Sequence, residues 1–326
     1  MKRSFVILNV LFTLASVFGM LQRDVSSDSN SWILRMVSDP DITETTKIAK
    51  IKQEIDSILI DKDLDLSRKK EIKDALDFQG NDENTSLITA IINGQIRLAE
   101  NLINYGADVN KKGQYGCSAL HRACQYDYDD IVKSLIEHGA DVNAESGAGF
   151  TPLRIAIGND NEVIVKCLIR NYANIDEEDE NGYSPLYFAI SAYKRKMLEL
   201  LIEFVDIHKE NRRGETALHI AAGRHNVNIL KYLLGLKDED GKTPSFDVNK
   251  KNKNGETPLH IAVNAGSKAN VELLLEKGAN VNEEDGDHCT PLGVARIRGF
   301  NEIARILEAA GAKQFIVHYV GESDYR

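Results

Sequence analysis

Residues 255–266 read GETPLHIAVNAG, and much of this stretch recurs along the chain. Residues 214–223 repeat most of it as GETALHIAAG, and 149–159 carry the fainter GFTPLRIAIGN. Each position has a local physical use. The Thr257 hydroxyl is suited to cap a helix. Pro258 fits the first helical position, where the missing N–H has no partner within the helix anyway. Leu259 and Ala262 stand three apart and share one helix face. An alanine at that place predicts that another helix comes close; a larger side chain would destabilise by about 1–3 kcal/mol.

Aligned on the shared leucine, seven copies appear, at Leu87, Leu120, Leu153, Leu186, Leu218, Leu259 and Leu292, with gaps of 33, 33, 33, 32, 41 and 33 residues. Three residues after each stands an alanine: Ala90, Ala123, Ala156, Ala189, Ala221, Ala262 and Ala295. Most copies end in a Gly-Ala-x-Val-Asn element, clearest at 106–110, 139–143 and 278–282. A 33-residue period with a T-P-L-H-x-A core resembles the ankyrin repeat, over about residues 79–313. The resemblance implies an all-α ankyrin-repeat solenoid: helix-turn-helix units joined by β-hairpin turns, preceded by a short helical segment. The expected repeats are 79–111, 112–144, 145–177, 178–209, 210–250, 251–283 and 284–313. His260, His121 and His219 share one register, which predicts a structural hydrogen bond between turn and helix rather than a ligand. Arg154, Tyr187, Ile88 and Gly293 replace that histidine in the other copies, and Glu83 replaces a glycine in the first.

The N-terminus has another pattern. Lys2 and Arg3 precede an apolar run from Phe5 to Phe18, with Val17 and Gly19 as small residues before a cut. That is the layout of a secretory signal peptide, expected at 1–19, and the run is shorter than the roughly 20 residues that span a bilayer. Cleavage takes the net charge from -10 to -12. A chain this acidic disfavours sequence-independent nucleic-acid binding, and no membrane insertion is expected after removal of the leader. Residues 20–43, rich in Ser and Asp, read as a disordered linker. Ile48, Ile51, Ile55 and Ile58 mark an amphipathic helix, the first of a capping helical pair at 44–78. Residues 314–326 form a C-terminal tail in which Phe315, Val317 and Tyr319 alternate.

Eight extra residues enter between Leu234 and Val248. Their GLKDEDGKT imitates a phosphate loop, but five residues separate Gly235 from Gly241 where four are needed. A calcium loop fails at Leu236, which occupies the first ligand position. A solvated insertion is expected. Cys124 and Cys167 fall in apolar slots, and Cys117 and Cys289 in turns five repeats apart, so neither disulfides nor zinc are expected. Asn84-Thr85-Ser86 is a glycosylation sequon at a turn.

No nucleophile elbow, kinase motif or metal pair appears, so no enzyme activity and no cofactor are expected. Family resemblance implies binding of a protein partner through the hairpin tips and the inner face of the first helices. The family's variable slots lie six, five and three residues before the shared leucine, and five and six after it. They map to Gln114, Tyr115, Cys117, Gln125, Tyr126, Phe150 and Tyr183, then to Arg212, Arg213, Arg224, Lys253, Asn264 and Arg298, with Asn159 and Glu180 nearby. An aromatic zone is thus followed by a basic one, suited to a partner with an acidic segment beside an apolar one. The competing expectation is that these arginines pair with Glu215 and Glu256. The expected protein is an exported, periplasmic or secreted monomer. A host-directed effector or adaptor is the first alternative, an envelope spacer or enzyme the last.

Overall fold

The computed structural model describes residues 31–59, 66–81, 83–180, 182–235 and 246–313. The stretch expected to be a leader (1–19), most of the insertion and the expected tail (314–326) lie outside them. Two compact units are present, one ending at Gln114 and the other beginning at Tyr115.

The first unit contains α1 (Trp32–Ser38), α2 (Glu44–Leu59), α3 (Leu66–Leu76) and the helix pair α4 (Ser86–Ile92) and α5 (Ile96–Asn104). α1 therefore occupies part of the stretch expected to be a linker. Its short run Ile33, Leu34 and Val37 is buried, which gives seven residues an apolar face to pack. α1 packs on α4 and α2 on α5, so this pair covers the first repeat as a preceding repeat would. Ile51 and Ile55 are the buried face of α2, and α3 packs on α1. Two charged groups serve the helix ends. Lys47 Nζ donates to the Val37 carbonyl at the C-terminus of α1 (2.8 Å), and Glu44 accepts from the Leu98 amide at the N-terminus of α5 (3.0 Å). Burial lowers the Lys47 pKa, against the raising influence of Asp39 and Glu44.

The second unit contains six helix pairs. They are α6 (Ala119–Gln125) and α7 (Asp129–Glu137); α8 (Pro152–Gly158) and α9 (Glu162–Arg170); α10 (Pro185–Ser191) and α11 (Arg195–Leu201); α12 (Ala217–Ala222) and α13 (Val227–Gly235); α14 (Pro258–Asn264) and α15 (Lys268–Glu276); and α16 (Pro291–Ile297) and α17 (Asn301–Ala309). First helices pack on first helices, α6 on α8 through to α16. All seven register alanines have 0% exposure, as close helix approach requires.

The motif folds as its chemistry dictates. Thr257 is the N-cap of α14 and accepts from the His260 amide (3.5 Å), with Pro258 in the first turn. His260 Nδ1 accepts in return from the Thr257 amide (3.2 Å). Its Nε2 then donates to the Cys289 carbonyl in the next turn (3.1 Å). His121 makes the same link to Phe150 (2.9 Å) and His219 to Glu256 (3.1 Å). Arg154 and Tyr187 keep the link by other means. Arg154 pairs with Asp179 of the next turn, and the Tyr187 hydroxyl lies 3.0 Å from the Glu215 carbonyl.

The expected β-hairpins are tight turns; no strand occurs among the described residues, only an isolated bridge between Gln79 and Thr85. Asn252 shapes its turn by accepting from the Asn254 and Glu256 amides (both 2.9 Å). Adjacent tips are then tied by single backbone bonds, such as Gly286 N–H to the Asn254 carbonyl (2.8 Å). Gly255 makes that approach feasible: it lies at φ +75°, and a Cβ there would stand 2.5 Å from the Gly286 nitrogen.

Candidate functional site

The side chains at the contact slots divide into exposed ones and ones engaged by neighbouring repeats. Tyr115 is 72% exposed on its tip, with φ +60°, and its carbonyl accepts from the Gly147 amide (2.8 Å). Tyr126, 39% exposed, closes the end of α6 and stacks on Tyr128 with ring centroids 5.9 Å apart. Phe150 is 42% exposed and carries the Arg154 guanidinium 4.9 Å above its ring. Gln125 is exposed and accepts from Arg122 (2.8 Å), and Cys117 is half-buried.

Tyr183 and Arg224 join the two zones. The Arg224 guanidinium donates to the Tyr183 hydroxyl (3.2 Å) and lies 5.9 Å from its ring centroid. Both are half-buried, so they form part of the wall rather than a free anchor.

The arginine neighbours Arg212 and Arg213 differ. Arg212 is consumed by the structure: Nε donates to Glu178 (2.9 Å), and Nη2 to the Glu178 and Asp179 carbonyls (2.8 and 2.7 Å). Its partner is thus Glu178 of the preceding tip, not Glu215 or Glu256. Those two carboxylates accept instead from Asn211 and Asn252. Arg213 is exposed, and its side chain has no ion-pair or hydrogen-bond partner among the described residues. The same holds for Lys253 on the next tip and for Arg298. Asn264 is exposed, but Asn159 is engaged, donating to the Cys124 and Gln125 carbonyls (3.2 and 3.0 Å) at the end of α6.

Several features escaped the register argument. Arg154 is sandwiched between Phe150 and Phe188, 4.9 and 4.7 Å from the two centroids, which fixes the aromatic zone around a cation. Phe150 and Phe188 flanking an arginine in the histidine slot were the available signal. Ile297, five residues after its leucine, is an exposed apolar side chain in a contact slot. Tyr172 and Tyr193 are exposed at left-handed positions, outside the contact slots.

The thiols of Cys124, Cys167 and Cys289 are pushed upward in pKa by burial, and a thiol kept protonated is a poor nucleophile. Burial lowers the pKa of His219 and His260, keeping both neutral in their structural bonds. No group of potential metal ligands occurs among the described residues. No described helix is long and apolar enough to cross a membrane. Asn84 of the sequon is buried and accepts from the Gln114 amide (3.1 Å), so the folded unit does not present it for glycosylation.

The family model for ankyrin repeats (3 copies) matches residues 58–146, 143–211 and 245–316, and the model for ankyrin repeats (many copies) matches 200–244. The human ASB11 ankyrin repeat domain is similar at 26% identity and a TM-score of 0.57, covering 71% of this chain and 100% of that one. The ankyrin repeat domain of Bcl-3, a unique member of the IkappaB protein family, is similar in fold at 23% identity and a TM-score of 0.56, covering 69% of this chain and 100% of that one. No curated protein matches.

Proposed function

Because the chain belongs to the ankyrin-repeat family, we propose that it is a non-enzymatic module that binds a protein partner through the tips and first-helix ends of its repeats. What carries this reading is the division of labour at the contact slots. Tyr115, Tyr126 and Phe150 stay exposed there, and Arg213 and Lys253 keep their charges without an internal partner among the described residues. Exposed Tyr and Arg are the side chains that most often dominate binding at protein interfaces. A partner with an acidic segment beside an apolar one matches both halves. Electrostatics would chiefly speed the encounter and set its orientation. The backbone is already ordered by stacking, so little ordering entropy opposes association.

The test starts with affinity capture by the chain lacking 1–19, then measures binding of the identified partner. Tyr126→Ala and Arg213→Ala should each weaken it about ten-fold, equivalent to about 1.4 kcal/mol. Tyr172→Ala, outside the contact slots, should not. The Arg213→Ala complex should also lose part of its salt sensitivity. Tight binding in both slot variants, with loss in Tyr172→Ala, would place the interface elsewhere.

Lys2, Arg3 and the apolar run after them support action after export. Fractionation with N-terminal sequencing tests this part separately: a cytoplasmic protein that retains residues 1–19 would refute export and leave the binding site standing.

A further inference from the structure

The tips of the fourth to seventh repeats differ sharply in charge. Residues 176–180 read DEEDE and 283–287 read EEDGD, while the two tips between them carry KENRR at 209–213 and KKNKN at 250–254. Each basic tip therefore has an acidic neighbour on one side and a basic one on the other. Toward the acidic neighbours the cations are paired. Lys209 reaches Asp176, Arg212 reaches Glu178 and Lys251 reaches Glu283, each at 2.9 Å. Lys250 pairs with Glu210 between the two basic tips (2.8 Å).

Arg213 and Lys253 remain, where the basic tips meet. The Lys253 amide donates to the Arg213 carbonyl (3.0 Å), which sets the two residues side by side. Gly214 follows Arg213 at φ +72°, and a Cβ there would stand 3.2 Å from Lys253 Cγ, so the lysine stem lies across the space that the missing side chain leaves. Both cationic side chains are exposed, with neither an ion pair nor a hydrogen bond among the described residues. The carboxylates of these two turns, Glu215 and Glu256, are held by Asn211 and Asn252 instead (2.9 and 3.0 Å). Like charges held together without a counter-ion repel, and an anion shared between them relieves that repulsion.

The flanks limit which anion fits. A run of acidic residues laid along the tips would meet DEEDE on one side and EEDGD on the other, and nucleic acid would be repelled in the same way. A compact group that concentrates its charge on one side chain avoids both. A phosphorylated side chain brings a charge of about -1.5 to -2 and three acceptor oxygens, so it can engage both cations at once, where a carboxylate offers a single charge. We infer that Arg213 and Lys253 form a two-cation clamp for one phosphorylated side chain of the partner, so that phosphorylation of the partner strengthens binding. The clamp presupposes the protein-binding role proposed above and narrows the acidic segment to a single residue.

Fluorescence anisotropy of the full chain with three labelled peptide pools tests this. The pools share random neutral flanks and differ in a fixed central residue: phosphoserine, glutamate or serine. The phosphoserine pool should bind about ten-fold more tightly than the glutamate pool, and the serine pool most weakly. Arg213→Ala and Lys253→Ala should each abolish that preference without moving the unfolding midpoint. Lys231→Ala, which removes an exposed charge of the same sign from α13, should keep it. Equal binding of the phosphoserine and glutamate pools overturns the inference, as does a preference that survives both tip variants. Competition by inorganic phosphate or single-stranded oligothymidylate as strong as by the phosphoserine pool also overturns it, assigning the cations to a free anion or to nucleic acid. The captured partner separates the clamp from the wider reading. If Tyr126→Ala weakens its binding but phosphatase treatment of the partner does not, the clamp is refuted and the protein-binding role stands.

Discussion

In the repeats built on Leu218 and Leu259, a buried histidine ties each unit to the next turn; in those built on Leu153 and Leu186, Arg154 and Tyr187 stand in its place. The acceptors show what the slot demands. Tyr187 faces the Glu215 carbonyl, three residues before its leucine, which is the register of Glu256 and Cys289. A donor of the right reach is therefore required, and imidazole is one of several that serve. The substituted region is also where Arg154 gathers Phe150 and Phe188, and where Tyr172 and Tyr193 replace glycines of the Leu259 and Leu292 copies. Links that vary in chemistry while the alanine seam does not suggest that the seam holds the stack and the slots above it are free to specialise.

Breaking the seam should have the largest effect, and the same effect in both regions. Ala189→Leu and Ala262→Leu each insert three carbons at a fully buried helix contact, with an expected destabilisation of about 1–3 kcal/mol. Urea unfolding followed by circular dichroism measures it. If one region accepts leucine freely, the shared interior is not the common support.

The ties come next. Tyr187→Phe removes the hydroxyl shared by the Lys209 and Glu215 carbonyls and leaves them short of a donor, an expected loss of about 1–3 kcal/mol. Acid should distinguish the regions further. The pKa values of His219 and His260 are lowered by burial, so between those values and about 6.5 the unfolded chain binds more protons than the folded one. Their stabilisation is complete above about pH 6.5 and declines as pH falls through that window. The Tyr187 phenol, pushed upward by burial, remains neutral throughout. Hydrogen exchange at pH 7.5 and 5.5 should therefore show the Leu218 and Leu259 repeats loosening before the Leu186 repeat; the reverse order would refute the assignment.

The leucine and alanine register, the Thr257 cap and the structural role of His260 were legible because each rests on neighbours within one helical turn. Arg212 was not. Its partner Glu178 lies 34 residues away and meets it only because stacking puts equal tip positions side by side. Asn159 misled for the same reason, since its carbonyl partners belong to the previous repeat. α1 escaped notice because seven residues with no side-chain cap leave almost no periodic signal, and its support comes from packing on α4. Tyr172 could have been read: it stands where Gly106, Gly139, Gly278 and Gly311 all turn left-handed, so an aromatic there was a visible departure.

That departure supplies the smallest and cleanest comparison. Tyr172 has φ +65° and is 89% exposed, so its ring gains little from burial while its backbone sits where a Cβ is disfavoured by about 1–2 kcal/mol. At Gly278, the same slot in the Leu259 repeat, an added Cβ would meet nothing within 4 Å. The penalty is therefore one of backbone conformation rather than crowding. Tyr172→Gly removes it, but gives the unfolded chain more freedom to lose, leaving a net gain of about 0.5–1 kcal/mol. Tyr172→Ala loses the ring and keeps the disfavoured conformation, so it should stay near the starting stability. A difference between the Gly and Ala variants isolates the backbone contribution. If the two unfold together, the left-handed turn is not strained, and tyrosine at this slot needs no compensating role.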